Sequence, residues 1–218
     1  MSNNESEVRK TPRRTQAERR EEAEQRLLEA ARQIVARKGW AGMTLAEVGE
    51  AAGYSRGLAT HHFGNKANLL RALASFVNAE FMRLVDADKH QRHGLQAIEH
   101  FVEVYFDRKD GEWVNTRALL ALLAEAVTED SGTVAVLASY NRTVQDHLAA
   151  QVRAAIDVGE VPSAVDPLGA AAFILGMLRG TILQYLLDPK AQALSSLHRH
   201  CSALMRAALV GGAAPPAG

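Results

Sequence analysis

The sequence predicts an all-α protein, and three observations favour that fold class. Alanine and leucine dominate the composition, and both are strong helix formers. Apolar residues recur at steps of three and four along most of the chain, and no stretch shows the strict alternation of a β-strand. Glycine and proline are sparse and cluster at a few positions, which divides the chain into helices joined by short links.

The N-terminal segment is expected to consist of an arm and one long helix. Residues 1–14 show no apolar periodicity and carry several basic side chains, so we expect a disordered basic arm. The first helix is predicted over Gln16–Lys38, where alanine, leucine and isoleucine recur at helical spacing. Gly39 is expected to end it as a C-cap.

Two short helices are predicted next, on either side of a bend at Gly53. Thr44 and Glu47 are the ends of the capping-box pattern TLAE, in which each side chain accepts the backbone N–H of the other residue. Ser55 is the next candidate N-cap and opens the second short helix, which Gly64 ends.

Six longer helices are predicted in the remainder of the chain, each bounded by a capping or breaking residue. Their approximate ranges are 66–85, 95–108, 112–128, 133–158, 167–187 and 191–210. Asn65 and Asp166 are the expected N-caps of the first and fifth of these helices. The tail, residues 211–218, is rich in glycine and proline and is expected to be disordered.

Cysteine content and hydropathy narrow the class of protein. Cys201 is the only cysteine, which fits a reducing compartment, and the polar N-terminus does not resemble a secretory signal. Residues 168–187 are long enough to span a bilayer, but Arg179 near their middle would cost about 2.5–3.5 kcal/mol to insert. We therefore interpret this stretch as a helix buried inside the protein, and expect a cytoplasmic protein without membrane contact.

The formal net charge is zero, but the charge is unevenly distributed along the chain. Residues 1–66 carry 12 Lys and Arg against 9 Asp and Glu, whereas residues 67–218 carry 13 against 16. A mildly basic N-terminal segment on a mildly acidic remainder suits binding of nucleic acid at the N-terminal end.

The two short helices around Gly53 show the pattern of a helix-turn-helix. Gly49 is small where the two helices must cross, and Gly53 can adopt a backbone conformation that other residues resist. The second helix of such a motif enters the major groove of DNA with its N-terminal residues at the base edges. Taken alone, the pattern also fits an ordinary corner between two helices.

The candidate DNA contacts are polar residues at the start and on the outer side of the second short helix. Ser55 and Thr60 can donate to phosphates, and Arg56 can read guanine or bind phosphate. His61 lies on the same side. Lys66 brings its charge to the N-terminus of the following helix, which itself favours phosphate.

The stretch TLAEVGEAAGYSRGLATHHFGNKANLL, residues 44–70, resembles the DNA-binding signature of the TetR family of bacterial transcriptional repressors. The matching residues are Thr44, Ala52, Gly53, Ser55, Gly57, His62, Phe63, Lys66 and Leu70. The resemblance implies a three-helix helix-turn-helix DNA-binding domain over residues 15–65, with Thr44 and Gly57 among its DNA-binding residues. Many members carry tyrosine where Thr60 stands, so only a hydroxyl contact is carried over for this residue.

The resemblance also implies a C-terminal helical domain, residues 66–210, for ligand binding and dimerisation. Apolar stripes on the last two helices are candidates for the dimer contact, with a bundle inside one chain as the alternative. Gly176 and Gly180 would permit close approach of helices. The expected interface residues are Leu175, Arg179, Ile182, Leu194, Leu197, Cys201 and Leu204.

Family members hold a small, often apolar ligand among the middle helices, so the resemblance implies an effector pocket here. We expect a mainly apolar and aromatic lining: Phe101, Tyr105, Trp113, Arg117, Leu120, Tyr140, Phe173 and Met177. Ligand binding is expected to tilt the helix that begins near Lys66 and to change the spacing of the two recognition helices.

The sequence therefore predicts a ligand-responsive regulator, a repressor that binds a palindromic DNA operator as a homodimer and is released by a small molecule. The alternative is a helical small-molecule-binding or enzymatic protein without a DNA role. No phosphate-binding glycine loop or His-Glu-x-x-His is present, so we do not expect an enzyme. We also expect no cofactor and no metal, and the basic arm is either a solubilising tail or a minor-groove arm.

Overall fold

The computed structural model describes residues 15–87, 90–107, 112–128 and 134–211. These residues form nine α-helices and no strand, which confirms the all-α prediction. The helices are α1 (Gln16–Lys38), α2 (Leu45–Ala51), α3 (Leu58–Phe63), α4 (Lys66–Asp86), α5 (Gly94–Phe106), α6 (Val114–Thr128), α7 (Val134–Asp157), α8 (Pro167–Leu187) and α9 (Leu194–Val210). The predicted arm and all of the predicted tail except Gly211 lie outside the described residues.

Four of the described helices, α1, α2, α4 and α8, begin at a side-chain cap. The Asn65 and Asp166 side chains accept backbone N–H groups of α4 and α8 at 2.9 and 2.8 Å, which confirms both predicted N-caps. At α1, Thr15 and Glu18 form a complete capping box that the sequence analysis did not identify. The chain therefore specifies these helix starts within a few residues of sequence.

The capping box predicted for α2 is only half formed. The backbone N–H of Glu47 donates to Thr44 Oγ1 at 3.2 Å. The Glu47 carboxylate does not return to Thr44, because it pairs with Lys38 at the end of α1. The glutamate thus joins α1 to α2 instead of completing the cap.

The expected N-cap of α3 is also different in the structure. Helix α3 begins at Leu58 with Gly57 in the N-cap position and no side-chain cap bond. Ser55 lies three residues earlier, in a turn in which its carbonyl accepts the backbone N–H of Leu58 at 3.1 Å. The serine is therefore corrected from cap to turn residue, and its hydroxyl is not committed to the helix N-terminus.

Helices α1–α3, which we call the head, pack through a bend that two glycines permit. A Cβ atom at Gly49 would lie 2.5 Å from the backbone oxygen of Ser55, so only glycine allows this close crossing. Gly53 has a φ of +81°, a conformation that L side chains rarely adopt. Both predictions for these glycines are confirmed, and Val48, Ala59 and Phe63 are buried beneath the bend.

The head is joined to helices α4–α9, which we call the body, through two helices. Helix α4 continues directly from the head, and α1 packs along both α4 and α6. Arg32 of α1 donates to Asn115 Oδ1 at 3.3 Å, and Asn115 Nδ2 donates to the carbonyl of Val77 in α4 at 3.1 Å. These two hydrogen bonds tie α1, α4 and α6 together at one point.

The body is a bundle in which α7 packs on α5 and α8, while α9 packs on α5 and α8. Helix α5 starts tightly against the end of α7, because Gly94 has no side chain. A Cβ there would lie 2.8 Å from Glu160 Oε2 and 3.3 Å from the Ala155 backbone. Gln151 and Glu160 accept the first two backbone N–H groups of α5 at 3.1 Å each.

Helix α8 corrects the expectation of a helix buried inside the protein. It is long and apolar enough to cross a membrane, with a mean hydropathy of 1.5 over 18 residues, yet only 28% of that window is buried. Its inner side is buried: Ala171, Ile174, Leu175, Leu178 and Ile182. Its opposite side, which we call the outer face, exposes Phe173, Leu183 and Leu187.

Candidate nucleic-acid interface and ligand cleft

Helix α3 and the turn before it present a polar surface to solvent. Ala59 and Phe63 are buried on the inner side of α3, which directs the opposite side outward. The structure exposes Ser55, Arg56, Gly57, Thr60 and His61 on that side, and we call these five residues the recognition surface. Thr44 is also exposed, at the start of α2.

Arg56 is the most accessible cation of the recognition surface, with 75% of its side chain exposed. Its Nε lies 3.5 Å from Glu50 Oε1 of α2, and that carboxylate is also largely exposed. An exposed ion pair of this kind contributes about 0–1 kcal/mol and is screened by salt. Arg56 can therefore exchange this partner for a phosphate or a base edge.

Lys66 has a different environment from the one the sequence suggested. Its Nζ donates to the carbonyl of Ala41 at 3.2 Å and lies 4.9 Å from the ring centroid of Trp40. The lysine thus anchors the start of α4 to the link between α1 and α2. The sequence did not reveal that Trp40 contacts this lysine. The only signal was the position of the tryptophan directly after a predicted C-cap glycine.

His62 connects α3 to α1. Its Nε2 lies 3.0 Å from Glu24 Oε2, and only 10% of its side chain is exposed. The signature match included His62 without a role, and the structure shows a contact that fixes the orientation of α3. The neighbouring His61 is exposed to solvent, because successive residues of a helix lie about 100° apart around its axis.

The body contains a cleft of about 770 Å³ between α4, α5 and the first turn of α6. Of the eight predicted pocket residues, only Tyr105 and Trp113 line it. Its walls are more polar than expected and are formed by Arg32, Glu80, Phe81, Arg83, Leu84, Ala87, His90, Arg92, His100, Glu103, Val104, Tyr105, Asp107, Trp113, Asn115 and Thr116.

The other predicted pocket residues have other environments. Phe101 and Tyr140 are buried in the core, and Leu120 and Met177 are half-buried without lining the cleft. Arg117 is exposed, and its Nε donates to the carbonyl of Glu112 at 3.1 Å. Phe173 is 55% exposed on the outer face of α8, so the expectation that it lines a pocket is corrected.

Ion pairs organise the charged walls of the cleft. Arg83 lies 2.7 Å from Glu80, and its hydrogen bond lowers the pKa of the Glu80 carboxyl. Glu103 faces both Arg92 and His100, at 3.7 and 3.4 Å. Opposite charges are thus matched within α4 and within α5, and Arg92 ties the link before α5 to that helix.

Trp113 closes the cleft where α6 begins. It is buried and has a φ of +58°, although it is not glycine. A backbone in this region costs about 1–3 kcal/mol for such a residue, and it persists only where surrounding contacts enforce it. The strained tryptophan and the first turn of α6 therefore form a defined wall of the cleft.

Arg179 was expected at a dimer interface, but the structure places its guanidinium inside the body. Its Nη1 donates to Asn141 Oδ1 at 2.6 Å, and the group lies 6.0 Å from the ring centroid of Tyr140. Its Nε and Nη2 are buried without a hydrogen-bond partner, as is the hydroxyl group of Tyr105. Burial raises the pKa of both tyrosines, and the charge of Arg179 offsets part of that shift.

The remaining expected interface residues are distributed between core and surface. Leu175, Ile182 and Cys201 are at most 5% exposed in the single chain, so their own chain already encloses them. Leu194 and Leu197 are half-buried against the core, whereas Leu204 is exposed. The predicted residues of α8 thus lie on its enclosed side, which the sequence pattern could not distinguish because both sides of this helix are apolar.

No group of three or more His, Cys, Asp and Glu that could hold a metal ion occurs in the described parts of the chain. Two histidines of the body have other contacts. His100 faces Glu103, and the ring of His198 stacks on Phe106 with centroids 5.0 Å apart.

A helix-turn-helix head on a helical body is an arrangement found in DNA-binding transcriptional regulators. Residues 27–73 match the family of bacterial regulatory proteins of the tetR type, and residues 94–210 match the C-terminal domain of BetI-type transcriptional repressors. The second match covers more than half of the chain. The chain therefore belongs to the TetR family of transcriptional regulators, which are not enzymes.

Individual relatives agree with this assignment. The regulator CymR from Pseudomonas putida is 50% identical over 60 residues, which are 28% of this chain and 30% of CymR. A TetR-family regulator from a Rhodococcus species is 21% identical, with a TM-score of 0.79 over 87% of this chain and 99% of its own. SmeT is a repressor of a multidrug efflux pump from Stenotrophomonas maltophilia, and its structure is known as a complex with triclosan. That structure is 23% identical, with a TM-score of 0.63 over 86% of this chain and 91% of its own. The chain thus spans about a third of the length of CymR. The solved structures of the Rhodococcus regulator and of SmeT share the fold of this chain.

Proposed function

We propose that the protein is a ligand-responsive repressor that binds a palindromic operator as a homodimer in the bacterial cytoplasm. Residues 15–65 serve as the DNA-binding domain, and residues 66–210 bind the effector and the second chain. The observation that carries this proposal is the pair of exposed surfaces, since the recognition surface is polar and the outer face of α8 is apolar.

Dimerisation follows from the size of the recognition surface and the exposure of α8. One six-residue helix contacts few base pairs, and dimers of helix-turn-helix proteins place two such helices about 34–36 Å apart, one turn of DNA. Gly176 and Gly180 lie on the exposed side of α8, and a Cβ at either position would meet nothing within 4 Å. A second copy of α8 can therefore approach the outer face closely and cover Phe173, Leu183 and Leu187.

Ligand response is supported by the cleft and by its connection to the head. A cleft of about 770 Å³ is within the ordinary range for small-molecule sites. Arg32 and Asn115 line it, and the same residues form the hydrogen bond between α1 and α6. A bound molecule can thus act on the head through α1 as well as α4, with a coupling of about 1–3 kcal/mol. SmeT, which shares the fold, is known as a complex with triclosan.

The proposal is tested by gel retardation of DNA from the region that flanks the protein's own gene. Binding is measured at about 50 and 200 mM salt, and a shuffled fragment serves as the control. We expect tight binding to the native fragment, two chains per site, and a steep loss of affinity with salt. Sedimentation of the free protein should give twice the mass of one chain. Equal binding to both fragments, or a monomer on DNA, would contradict the proposal.

A further inference from the structure

The guanidinium of Arg179 is a buried cation without a counter-ion in the described parts of the chain. It contacts the neutral Asn141 side chain and the ring of Tyr140, and no described carboxylate forms an ion pair with it. Two of its nitrogen atoms, Nε and Nη2, are buried and have no hydrogen-bond acceptor. Arginine remains protonated in proteins, and a buried charge without a partner is strongly unfavourable. The site is therefore suited to accept an anion.

Tyr105 connects this cation to the cleft. Its side chain lines the cleft, is only 8% exposed, and carries a hydroxyl group with no hydrogen-bond partner. Burial raises the pKa of this hydroxyl, and the Arg179 guanidinium offsets part of that shift through its charge and a side-chain contact. At neutral pH the hydroxyl is protonated, because burial raises its pKa, and it can donate to an incoming acceptor.

The other arginines that line the cleft already have anionic partners. Arg32 pairs with Glu29 at 2.8 Å, Arg83 with Glu80 at 2.7 Å, and Arg92 with Glu103 at 3.7 Å. An anion that entered the cleft would gain less from these paired charges than from Arg179. The unpaired cation next to the cleft is thus the group that distinguishes an acidic ligand from a neutral one.

We propose that the effector is a small organic acid whose carboxylate is bound by the Arg179 guanidinium and the Tyr105 hydroxyl. This inference rests on the proposed function and specifies its ligand class. The apolar part of the acid would lie against Phe81, Val104 and Trp113 in the cleft. Arg179 does not itself line the cleft, so the carboxylate reaches it past Tyr105, whose side chain changes rotamer on binding.

The proposal is tested by titrating the full-length protein in a calorimeter with matched acids and amides. The probes are phenylacetate and phenylacetamide, 2-naphthoate and 2-naphthamide, and octanoate and octanamide. We expect at least one acid to bind about tenfold or more tightly than its amide, since a buried charge-assisted pair dominates such differences. Arg179→Met should abolish this preference, whereas Arg117→Met, which removes an exposed arginine outside the cleft lining, should retain it.

Thermal unfolding without any probe separates binding from a structural role. If Arg179 serves a ligand, Arg179→Met should have an unchanged or higher Tm, because an apolar side chain replaces an uncompensated buried charge. Tyr105→Phe offers a second variant that keeps the ring, and it should weaken acid binding several-fold while leaving amide binding unchanged.

The proposal is overturned if no acid binds below about 10 mM, if acids and amides bind equally, or if both Arg179→Met and Tyr105→Phe retain the preference for acids. DNA retardation, measured in parallel, distinguishes this failure from failure of the proposed function. Acid binding that leaves operator affinity unchanged would contradict the repressor mechanism, but not the assignment of the acid site.

Discussion

The recognition surface and the outer face of α8 are both exposed in the single chain, but they differ in chemistry. The recognition surface consists of Ser55, Arg56, Gly57, Thr60 and His61, which water solvates well. The outer face exposes phenylalanine and leucine side chains, whose burial against a partner is worth about 25 cal/mol per Å². The recognition surface can therefore remain exposed to water in the absence of DNA. The outer face contributes favourable free energy only when a partner covers it.

The strongest test of this difference is a charge on the outer face. Phe173→Glu should convert the dimer into monomers and weaken operator binding by about 100-fold or more, because an unpaired carboxylate would be buried between the chains. The measurements are sedimentation and gel retardation. Val127→Glu is the matched control, since Val127 is 85% exposed on α6, away from the outer face. A Phe173→Glu variant that still sediments as a dimer would remove α8 from the interface.

A substitution beneath the recognition surface should act on folding instead of association. Gly49→Ala would place a Cβ 2.5 Å from the backbone oxygen of Ser55, which a rigid turn cannot easily avoid. We expect a loss of about 1–3 kcal/mol in the free energy of unfolding, measured by denaturant titration. Gly57→Ala is the control, because a Cβ at Gly57 meets nothing within 4 Å. Equal stability of the two variants would show that the crossing of α2 and the turn is looser than described.

Arg56 tests whether the recognition surface reads sequence. Arg56→Ala should weaken operator binding by about 10- to 100-fold and reduce the preference for the operator over mutated sites, as expected for loss of a base contact of about 1–3 kcal/mol. The measurement is competition gel retardation with a set of single-base variants. A uniform loss across all variants would instead assign Arg56 to the phosphate backbone.

Lys66 should give a smaller effect of a different kind. Lys66→Ala removes the contact with Trp40 and the hydrogen bond to Ala41, and should lower the free energy of unfolding by about 0.5–1 kcal/mol. Operator binding should weaken uniformly across sequences, with a salt dependence reduced by about one unit if the lysine also contacts phosphate. An unchanged salt dependence would leave Lys66 a purely structural anchor.

The smallest expected effect comes from the partner of Arg56. Glu50→Gln removes a carboxylate next to the recognition surface and releases Arg56 from an exposed ion pair worth about 0–1 kcal/mol. Affinity for all DNA fragments should rise a few-fold at low salt, with little change in preference among them. Fluorescence anisotropy at two salt concentrations measures this, and a decrease in affinity would mean that Glu50 positions Arg56 for binding.

The comparison also shows which features the sequence could predict. Helix ends and the bend of the head depend on residues within six positions of each other, so Asn65, Asp166, Gly49 and Gly53 were interpreted correctly. The start of α3 was predicted incorrectly, because a serine near a helix start can equally well belong to the preceding turn. Local signals thus determined the head almost completely.

The body depends on contacts between distant segments, and there the sequence was less informative. Helix α8 is apolar on both sides, so periodicity could not separate Ile182, which is buried, from Leu183, which is exposed. The cleft also depends on a contact between distant helices, because Arg32 of α1 donates to Asn115 of α6. Aromatic residues such as Phe101 were expected in a pocket but fill the core, where their area stabilises the fold most.

The chain has two tryptophans, and the fold assigns one to each half of the molecule. Trp40 lies beneath Lys66 in the head, and Trp113 forms a wall of the cleft. Single replacements by phenylalanine would therefore leave one intrinsic fluorophore that reports on the DNA end and another that reports on the effector end. Rapid-mixing fluorescence with these two variants would time the structural change at each end. The order of the two changes would give the direction of the coupling, and the interval between them its speed, without an added dye.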